Sequence, residues 1–392
     1  NLTVHCELRY EVTKVGTVRR LAMEVGLGLK AALPKLRKTV VSKVALAVGA
    51  MIEGQTPNTT ELANLLPLDT DRQDMREQWL RRLLKNPLLS SVEMLEPWAR
   101  QALAAAGQNG QTIILSMDQT DVGDRFALLM VSLGVGDRAL PLTWTVEAGP
   151  ANLGFNAQNV LLERVRAWLP AGAEVLLSAD RFYPSVALFE WLHAQPDWHY
   201  RLRVKGNLNV DPGVGDIVTT GELAAGQTER YLPNVRLFDH GVSTHLAIWR
   251  EPGHPEPWII AMNDPPNRAT VRDYASRWGI EPLFSDFKSR GFQLENTQLR
   301  APDRLDRLVC IMALAMYWCV RVGQEEARDH PTPLEKKRKN KPILTIGALE
   351  SSPAPPSPGS PGVCARSAGS YKCNNLYPPS IASALSGETD RW

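Results

Sequence analysis

The feature that most constrains the fold is a change of hydrophobic period near residue 111. Up to about residue 110, apolar residues recur at intervals of three and four, which is typical of amphipathic helices. The chain then continues with three β-rich runs at 112–120, 125–135 and 138–146, the last two joined by a short Gly-Asp-Arg turn. The sequence therefore predicts a helical segment followed by an antiparallel meander.

Helices and strands alternate after this meander. A helical pattern at 156–168 precedes an apolar strand at 174–180, and a second helix at 184–194 precedes a strand at 198–205. The order β-β-β-α-β-α-β predicts an α/β domain with a mixed five-stranded sheet flanked by helices, which is the order of the RNase H-like fold.

Composition changes divide the chain further. Gly, Pro and short β-like pieces after the fifth strand predict a β-rich insertion, and an almost wholly apolar helix at 301–323 should pack against the sheet. The end of the chain is rich in Lys, Pro, Ser and Gly, which favours disorder. The predicted units are a helical domain (1–110), the first part of the core (111–205), the insertion (206–262), the second part of the core (263–330) and a disordered tail (331–392).

Composition also excludes several classes of protein. The chain has 392 residues, 44% hydrophobic and 22% charged, as expected for a globular protein with more than one domain. Its longest apolar run, at 309–320, is shorter than the roughly 20 residues of a membrane-spanning helix, so no membrane partner is expected. Five cysteines without a CxxC pair argue against a zinc site or a disulfide framework and fit a reducing cytoplasm.

Local basic clusters leave two interpretations open for the helical segment. The net charge of +2 is too small to indicate a polyanionic partner by itself. Local clusters of Lys and Arg nevertheless occur at 34–43, 76–85 and 335–341, and Arg76, Arg81 and Arg82 share the polar side of one amphipathic helix. The helical segment is either a DNA-binding domain or a plain helical subdomain with a solvated charged face.

Three carboxylates are candidates for a metal site. Asp118 and Asp180 each follow an apolar strand, where the chain opens into the crevice of an α/β sheet, although an Asp there is often only a turn former. Glu281 lies on a later helix. Carboxylates from two strands and one helix can hold two divalent ions about 3.5–4 Å apart for in-line attack on a phosphodiester. Ligands that are all oxygen favour Mg²⁺ or Mn²⁺.

The segment 274–288 gathers four polar side chains at helical spacing. Tyr274, Arg277, Glu281 and Lys288 would share one face of a continuous helix, unless Arg277 and Glu281 are only a solvated i,i+4 ion pair. Pro282 allows two backbone conformations. Either the helix is kinked at Glu281, or it begins near Gly279, with Tyr274 and Arg277 on a preceding turn.

The motif at 274–288, "YASRWGIEPLFSDFK", resembles the YREK signature of cut-and-paste DDE transposases of bacterial insertion sequences, with the spacing Y-x2-R-x3-E-x6-K. "SMDQTDVG" and "LLSADRFY" look like the first and second aspartate motifs of that family, and "KSRGFQLENTQL" is also similar. The resemblance covers about residues 112–323.

This resemblance implies a set of site residues. Asp118, Asp180 and Glu281 would be the catalytic, metal-binding DDE triad of a two-metal Mg²⁺ site in which Mn²⁺ can substitute. Tyr274, Arg277 and Lys288 would contact the DNA backbone near the cleaved end. In the family, a tryptophan of the β insertion stacks on a flipped base, and Trp258 takes that position, with Trp249 as second choice.

The resemblance also implies a function. The chain would bind the terminal inverted repeats of its element as double-stranded DNA, cleave them and join the 3′ ends to target DNA. It would act as a homodimer in the synaptic complex. Its location would be the bacterial cytoplasm, in association with the nucleoid. Two alternatives stay open. One is an RNase H-like nuclease without strand transfer. The other is an inactive DNA-binding remnant of a truncated element, suggested by the change of composition after about Pro331.

Overall fold

The computed structural model describes residues 2–239, 241–251 and 256–329, and side chains within these ranges from residue 16 to residue 323. It is a mixed α/β structure in which helices flank one large sheet. The helices are α1 (Leu2–Ala32), α2 (Lys38–Gly54), α3 (Thr59–Leu65), α4 (Gln73–Leu84), α5 (Ser91–Ala106), α6 (Phe155–Trp168), α7 (Val186–His193), α8 (Thr220–Ala224), α9 (Arg268–Arg272), α10 (Ile280–Phe287) and α11 (Pro302–Asp329). The strands are β1 (Ile113–Val122), β2 (Phe126–Val135), β3 (Arg138–Ala148), β4 (Val175–Ala179), β5 (Trp198–Arg203), β6 (Asn209–Asp211), β7 (Val218–Thr219), β8 (Glu229–Leu237), β9 (Val242–Trp249) and β10 (Trp258–Met262).

The N-terminal segment is helical, as its hydrophobic period predicts. Asn58 caps α3, because its side-chain oxygen accepts a hydrogen bond from the Thr60 N–H group. Arg76 turns inward and donates to the carbonyl oxygens of Ala63 and Leu66, where α3 ends. Arg76 is therefore a structural group rather than part of an open basic face.

These N-terminal helices share a hydrophobic core with the sheet, and α11 forms the link. One oxygen of Asp306 on α11 accepts hydrogen bonds from the Ser91 hydroxyl and from the Trp144 indole, each at 2.9 Å. Arg307, the next residue, donates to the carbonyl oxygens of Leu84 and Leu89. The predicted apolar helix at 301–323 thus packs against both the sheet and the helical segment. Within the described residues, no helix combines the length and the apolar character needed to cross a membrane.

Strands β1 to β5 lie where the sequence predicts them. β1, β2 and β3 form an antiparallel meander, and β1, β4 and β5 run parallel to one another, in the spatial order β3-β2-β1-β4-β5. The central parallel strand β4 is buried along its whole length, whereas β1 and β5 also carry polar and partly exposed residues. The predicted strand order along the chain is confirmed for this part of the sheet.

The sheet has ten strands, so the predicted five-stranded sheet is not confirmed as a separate unit. β10 pairs antiparallel with β5, and β9, β8, β6 and β7 follow in that order. The physical reason is the free edge of β5: without β10 its N–H and C=O groups would lack partners on that side. The predicted insertion at 206–262 therefore extends the sheet. The predicted tail at 331–392 lies outside the described residues.

The segment 273–287 has two different helical geometries. Residues Asp273–Gly279 form a 3₁₀ helix, and α10 begins immediately afterwards at Ile280. Pro282 is the third residue of α10, where its missing N–H group costs no intrahelical hydrogen bond. Of the two possibilities that the sequence leaves open, the structure shows the second. Tyr274 and Arg277 lie on a preceding turn, and the single continuous helix face does not form.

Gly279 lies at the junction of these two helical segments, and its replacement by Ala is expected to destabilise the fold by about 1–3 kcal/mol. A Cβ atom there would lie 2.8 Å from the backbone oxygen of Arg138 and 3.0 Å from its carbonyl carbon. Urea unfolding of the Gly279→Ala variant measures the effect. Gly16→Ala is the control, because a Cβ at this position of α1 meets nothing within 4 Å. The control should be stabilised by about 0.5–1 kcal/mol, and equal behaviour of the two variants would contradict the crowding argument.

Candidate active site

Asp118 and Asp180 lie side by side at the same edge of the parallel strands. The register of β1 and β4 ends with the pair Met117 and Ala179, so each aspartate comes directly after this last pair. The sequence predicts Asp118 at the end of its strand. In the structure β1 continues beyond it to Val122, because these residues pair with β2. Parallel register is therefore what brings the two carboxylates together, although they are 62 positions apart in the chain.

Arg277 and Tyr274 connect these aspartates to Glu281. The Arg277 side chain is buried, and its two terminal nitrogens donate to Asp118 Oδ2 at 2.8 Å and to Glu281 Oε1 at 2.7 Å. The hydroxyl of Tyr274 donates to Asp180 Oδ1 at 3.4 Å. Glu281 is the most open of the group, with 56% of its side chain exposed. The structure thus gathers all three candidate carboxylates around one guanidinium and one phenol.

Burial dominates the electrostatics of this cluster. Desolvation raises the pKa of the Asp118 carboxyl, against the opposing effect of Arg277 and hydrogen bonds from the Gln119 N–H group and the Tyr183 hydroxyl. Burial would lower the pKa of Arg277, but the neighbouring Tyr274, Asp118 and Glu281 outweigh it, so the net shift is upward. Burial also raises the pKa of Tyr274 to about 12. At neutral pH the site therefore holds a fixed cation and a protonated phenol.

A comparison with protein families matches residues 119–318 to the transposase DDE domain, which covers just over half of the chain. The chain belongs to this family. Members of the family are transposases, enzymes that cleave DNA and transfer strands, and their partner is DNA. A comparison with curated proteins gives no significant match.

The family match includes Asp180 and Glu281, and it begins one residue after Asp118. The choice of Asp118 as the first carboxylate of this transposase consequently depends on geometry. Asp118 contacts Arg277 and Tyr183 inside the cluster, whereas Asp121, further along β1, is exposed and accepts a hydrogen bond from Gln119. Of the two aspartates on β1, Asp118 lies in the cluster with Asp180 and Glu281.

DDE transposases generally use divalent metal ions, and the donor chemistry of this cluster fits such an ion, because all three candidate ligands are carboxylates. In the described part of the chain, no three Asp, Glu, His or Cys side chains are arranged closely enough to hold a metal ion. The positive charge between Asp118 and Glu281 is instead that of Arg277. Each carboxylate uses one oxygen toward Arg277, so its second oxygen is the one that could face an ion.

Three further predicted residues, two tryptophans and a lysine, lie apart from the carboxylates. Trp258, the first residue of β10, is buried, and its ring packs edge-on against Tyr274 at 5.3 Å and Trp278 at 5.4 Å between centroids. Its neighbour Trp249 is partly exposed and is covered by the Arg268 guanidinium, 4.9 Å from the ring centroid. Lys288 directly follows α10, and it forms an ion pair with Glu295 at 3.3 Å.

Two polar residues near the candidate site are not among the sequence predictions. Tyr183 lies within the second aspartate motif, but nothing local indicates its hydrogen bond to Asp118. Arg201 on β5 has 4% of its side chain exposed and forms ion pairs with Asp264 at 2.7 Å and Asp273 at 3.2 Å. The available signal for Arg201 is its place inside the predicted strand "WHYRLR", because a charge buried in a sheet needs a nearby partner.

Proposed function

We propose that this chain is a cut-and-paste transposase of a bacterial insertion sequence, of the group with the YREK signature. The support is the cluster itself, in which Arg277 joins Asp118 to Glu281 while Tyr274 contacts Asp180. The strand order β3-β2-β1-β4-β5, with β1, β4 and β5 parallel, supports an RNase H-like core. In this proposal β6 to β10 are an elaboration at the open edge of that core.

We assign metal binding to Asp118, Asp180 and Glu281. Bound Mg²⁺ or Mn²⁺ ions would activate the attacking oxygen and stabilise the leaving oxygen. The residues of the chain prepare the site: Arg277 holds Asp118 and Glu281 in place, and the protonated Tyr274 can donate a hydrogen bond. One such site serves both hydrolysis and strand transfer, because each is an in-line attack by an oxygen nucleophile on a phosphodiester.

We assign DNA contacts to Tyr274, Arg277 and Lys288, which would bind phosphates near the cleaved end. The burial of Trp258 favours a packing role behind Tyr274 over base stacking. We assign binding of the terminal inverted repeats to the N-terminal helices. Two copies of the chain would form each synaptic complex, and the site of action would be the bacterial nucleoid.

The test is cleavage and joining of element ends. A labelled duplex that carries the inverted repeat flanking the coding sequence is incubated with the protein and Mg²⁺ or EDTA, and pre-cut ends are incubated with a target plasmid. We expect nicking at the repeat boundary only with the metal, followed by joining of the 3′ ends to the plasmid. Nicking without joining would instead indicate a nuclease, and no cleavage with either Mg²⁺ or Mn²⁺ would contradict the proposed function.

A further inference from the structure

An exposed aromatic ring with two cations lies two residues after Asp180. Phe182 has 59% of its surface exposed. The Arg181 guanidinium carbon lies 5.9 Å from the centroid of its ring, and Lys205 Nζ lies 5.2 Å from it. A single exposed apolar side chain is common on protein surfaces, but an exposed aromatic ring with two cations close to it is a more specific arrangement.

The loop after β4 fixes this ring toward solvent. The Tyr183 N–H group donates to the Asp180 carbonyl oxygen at 3.2 Å, which closes a tight turn. The Tyr183 side chain is buried and donates to Asp118, so the turn is anchored toward the cluster of carboxylates. Phe182 lies between Asp180 and Tyr183 in this turn, and its ring is exposed. The exposed area contributes nothing to the hydrophobic core.

Arg181, the residue before Phe182, lines a basic groove at the end of the parallel strands where the carboxylates lie. Arg181 follows β4 and Lys205 follows β5. Because these two strands are parallel, both cations lie at the same end of the sheet, beyond the C-terminal ends of the strands. The groove has a volume of about 290 Å³, and its lining includes Arg181, Arg203 and Arg250. Within the groove, Glu256 pairs with Arg181 at 3.3 Å and with Arg203 at 3.4 Å. The arginines outnumber the acidic group, which favours an anionic ligand.

We propose that Phe182 stacks on one unpaired base of the DNA strand held at the carboxylate cluster, with Arg181 and Lys205 contacting the phosphates on either side. This inference rests on the proposed function and adds a nucleotide subsite to it. Aromatic stacking suits an unpaired base, because every base has a π-face, and flanking cations neutralise the backbone. A fully paired duplex would not offer a free base face to the ring.

Phe182→Leu and Phe182→Trp test the subsite in the full chain. The probe is a single-stranded 12-nucleotide oligonucleotide with one central 2-aminopurine, titrated in EDTA so that no cleavage occurs. Phe182→Leu keeps an apolar side chain without the ring, and we expect about 5- to 100-fold weaker binding and loss of the fluorescence quenching. Phe182→Trp should retain both. Val160→Ala, which shortens an exposed apolar side chain of α6, is the control and should bind as the unmodified protein does.

Salt dependence separates stacking from charge. Lys205→Gln should lower the slope of log affinity against log salt by about 0.7, the value for one phosphate contact on a single strand, whereas Phe182→Leu should leave this slope unchanged. Equal binding and quenching by Phe182→Leu and the unmodified protein would overturn the inference. It would also be overturned if Phe182→Leu weakened binding of a duplex of the same sequence as much as it weakens binding of the single strand. Because the assay contains no metal, these results are independent of the cleavage and joining experiment.

Discussion

Asp118→Asn, Asp180→Asn and Glu281→Gln are each expected to abolish metal-dependent DNA cleavage while binding to the element end survives. Each substitution keeps the size of the side chain and removes its negative charge, which a divalent cation needs from its oxygen ligands. The measurement is nicking of a labelled element-end duplex with Mg²⁺, alongside a gel-shift titration of the same duplex without metal.

Asp121→Asn is the matched control for this series, since Asp121 lies on the same strand as Asp118 but is exposed. It should nick DNA as the unmodified protein does. The urea midpoint of each variant separates loss of a ligand from loss of the fold, because Asp118→Asn also weakens the ion pair with Arg277. A folded variant of any of the three carboxylates that still cleaves DNA would remove that residue from the proposed triad.

Arg201→Met is expected to lower the free energy of unfolding by about 3–5 kcal/mol, the usual cost of breaking a buried ion pair by removing one partner. The guanidinium of Arg201 pairs with Asp264 and Asp273, and its Nε donates to the Thr270 carbonyl oxygen at 2.7 Å. Without it, two carboxylates that are mostly buried lose their cation. Asp273 begins the 3₁₀ helix that carries Tyr274 and Arg277, so the loss should also disturb the candidate site.

Arg203→Met is the control on the same strand. Arg203 pairs with Glu256 at 3.4 Å, and Glu256 is 67% exposed, so the expected loss is below about 1 kcal/mol. Urea unfolding followed by tryptophan fluorescence measures both variants. Similar losses for Arg201→Met and Arg203→Met would show that the buried network contributes no special stability.

The sequence was sufficient to predict the half of the sheet that β1 to β5 form, because each of these strands is a β-rich run bounded by turn residues or helices. The other half could not be predicted in the same way. β10 pairs with β5 across more than fifty residues of chain, and pairing over such distances depends on which strand edge is open rather than on any local pattern. The five-stranded prediction treated the later strands as separate because nothing local links them to β5.

The candidate site shows the same division between local and non-local information. Asp118, Asp180 and Glu281 could be selected from residue type and position along the chain. The partners of Arg277 could not, because its contact with Asp118 joins residues 159 positions apart. Burial of Trp258 was equally inaccessible, since a tryptophan at a strand start has the same local sequence whether its ring faces solvent or Tyr274.

The ten-stranded sheet has a geometric consequence for any long ligand. Neighbouring strands rotate by about 20–25° relative to each other, so the five steps from β1 to β8 accumulate a rotation of about 100–125°. We therefore expect β8 and β9 to run across the direction of the catalytic strands. A straight rod such as duplex DNA, laid over the carboxylate edge, would meet the outer strands as a side wall, and the curved sheet would limit the directions along which it can enter.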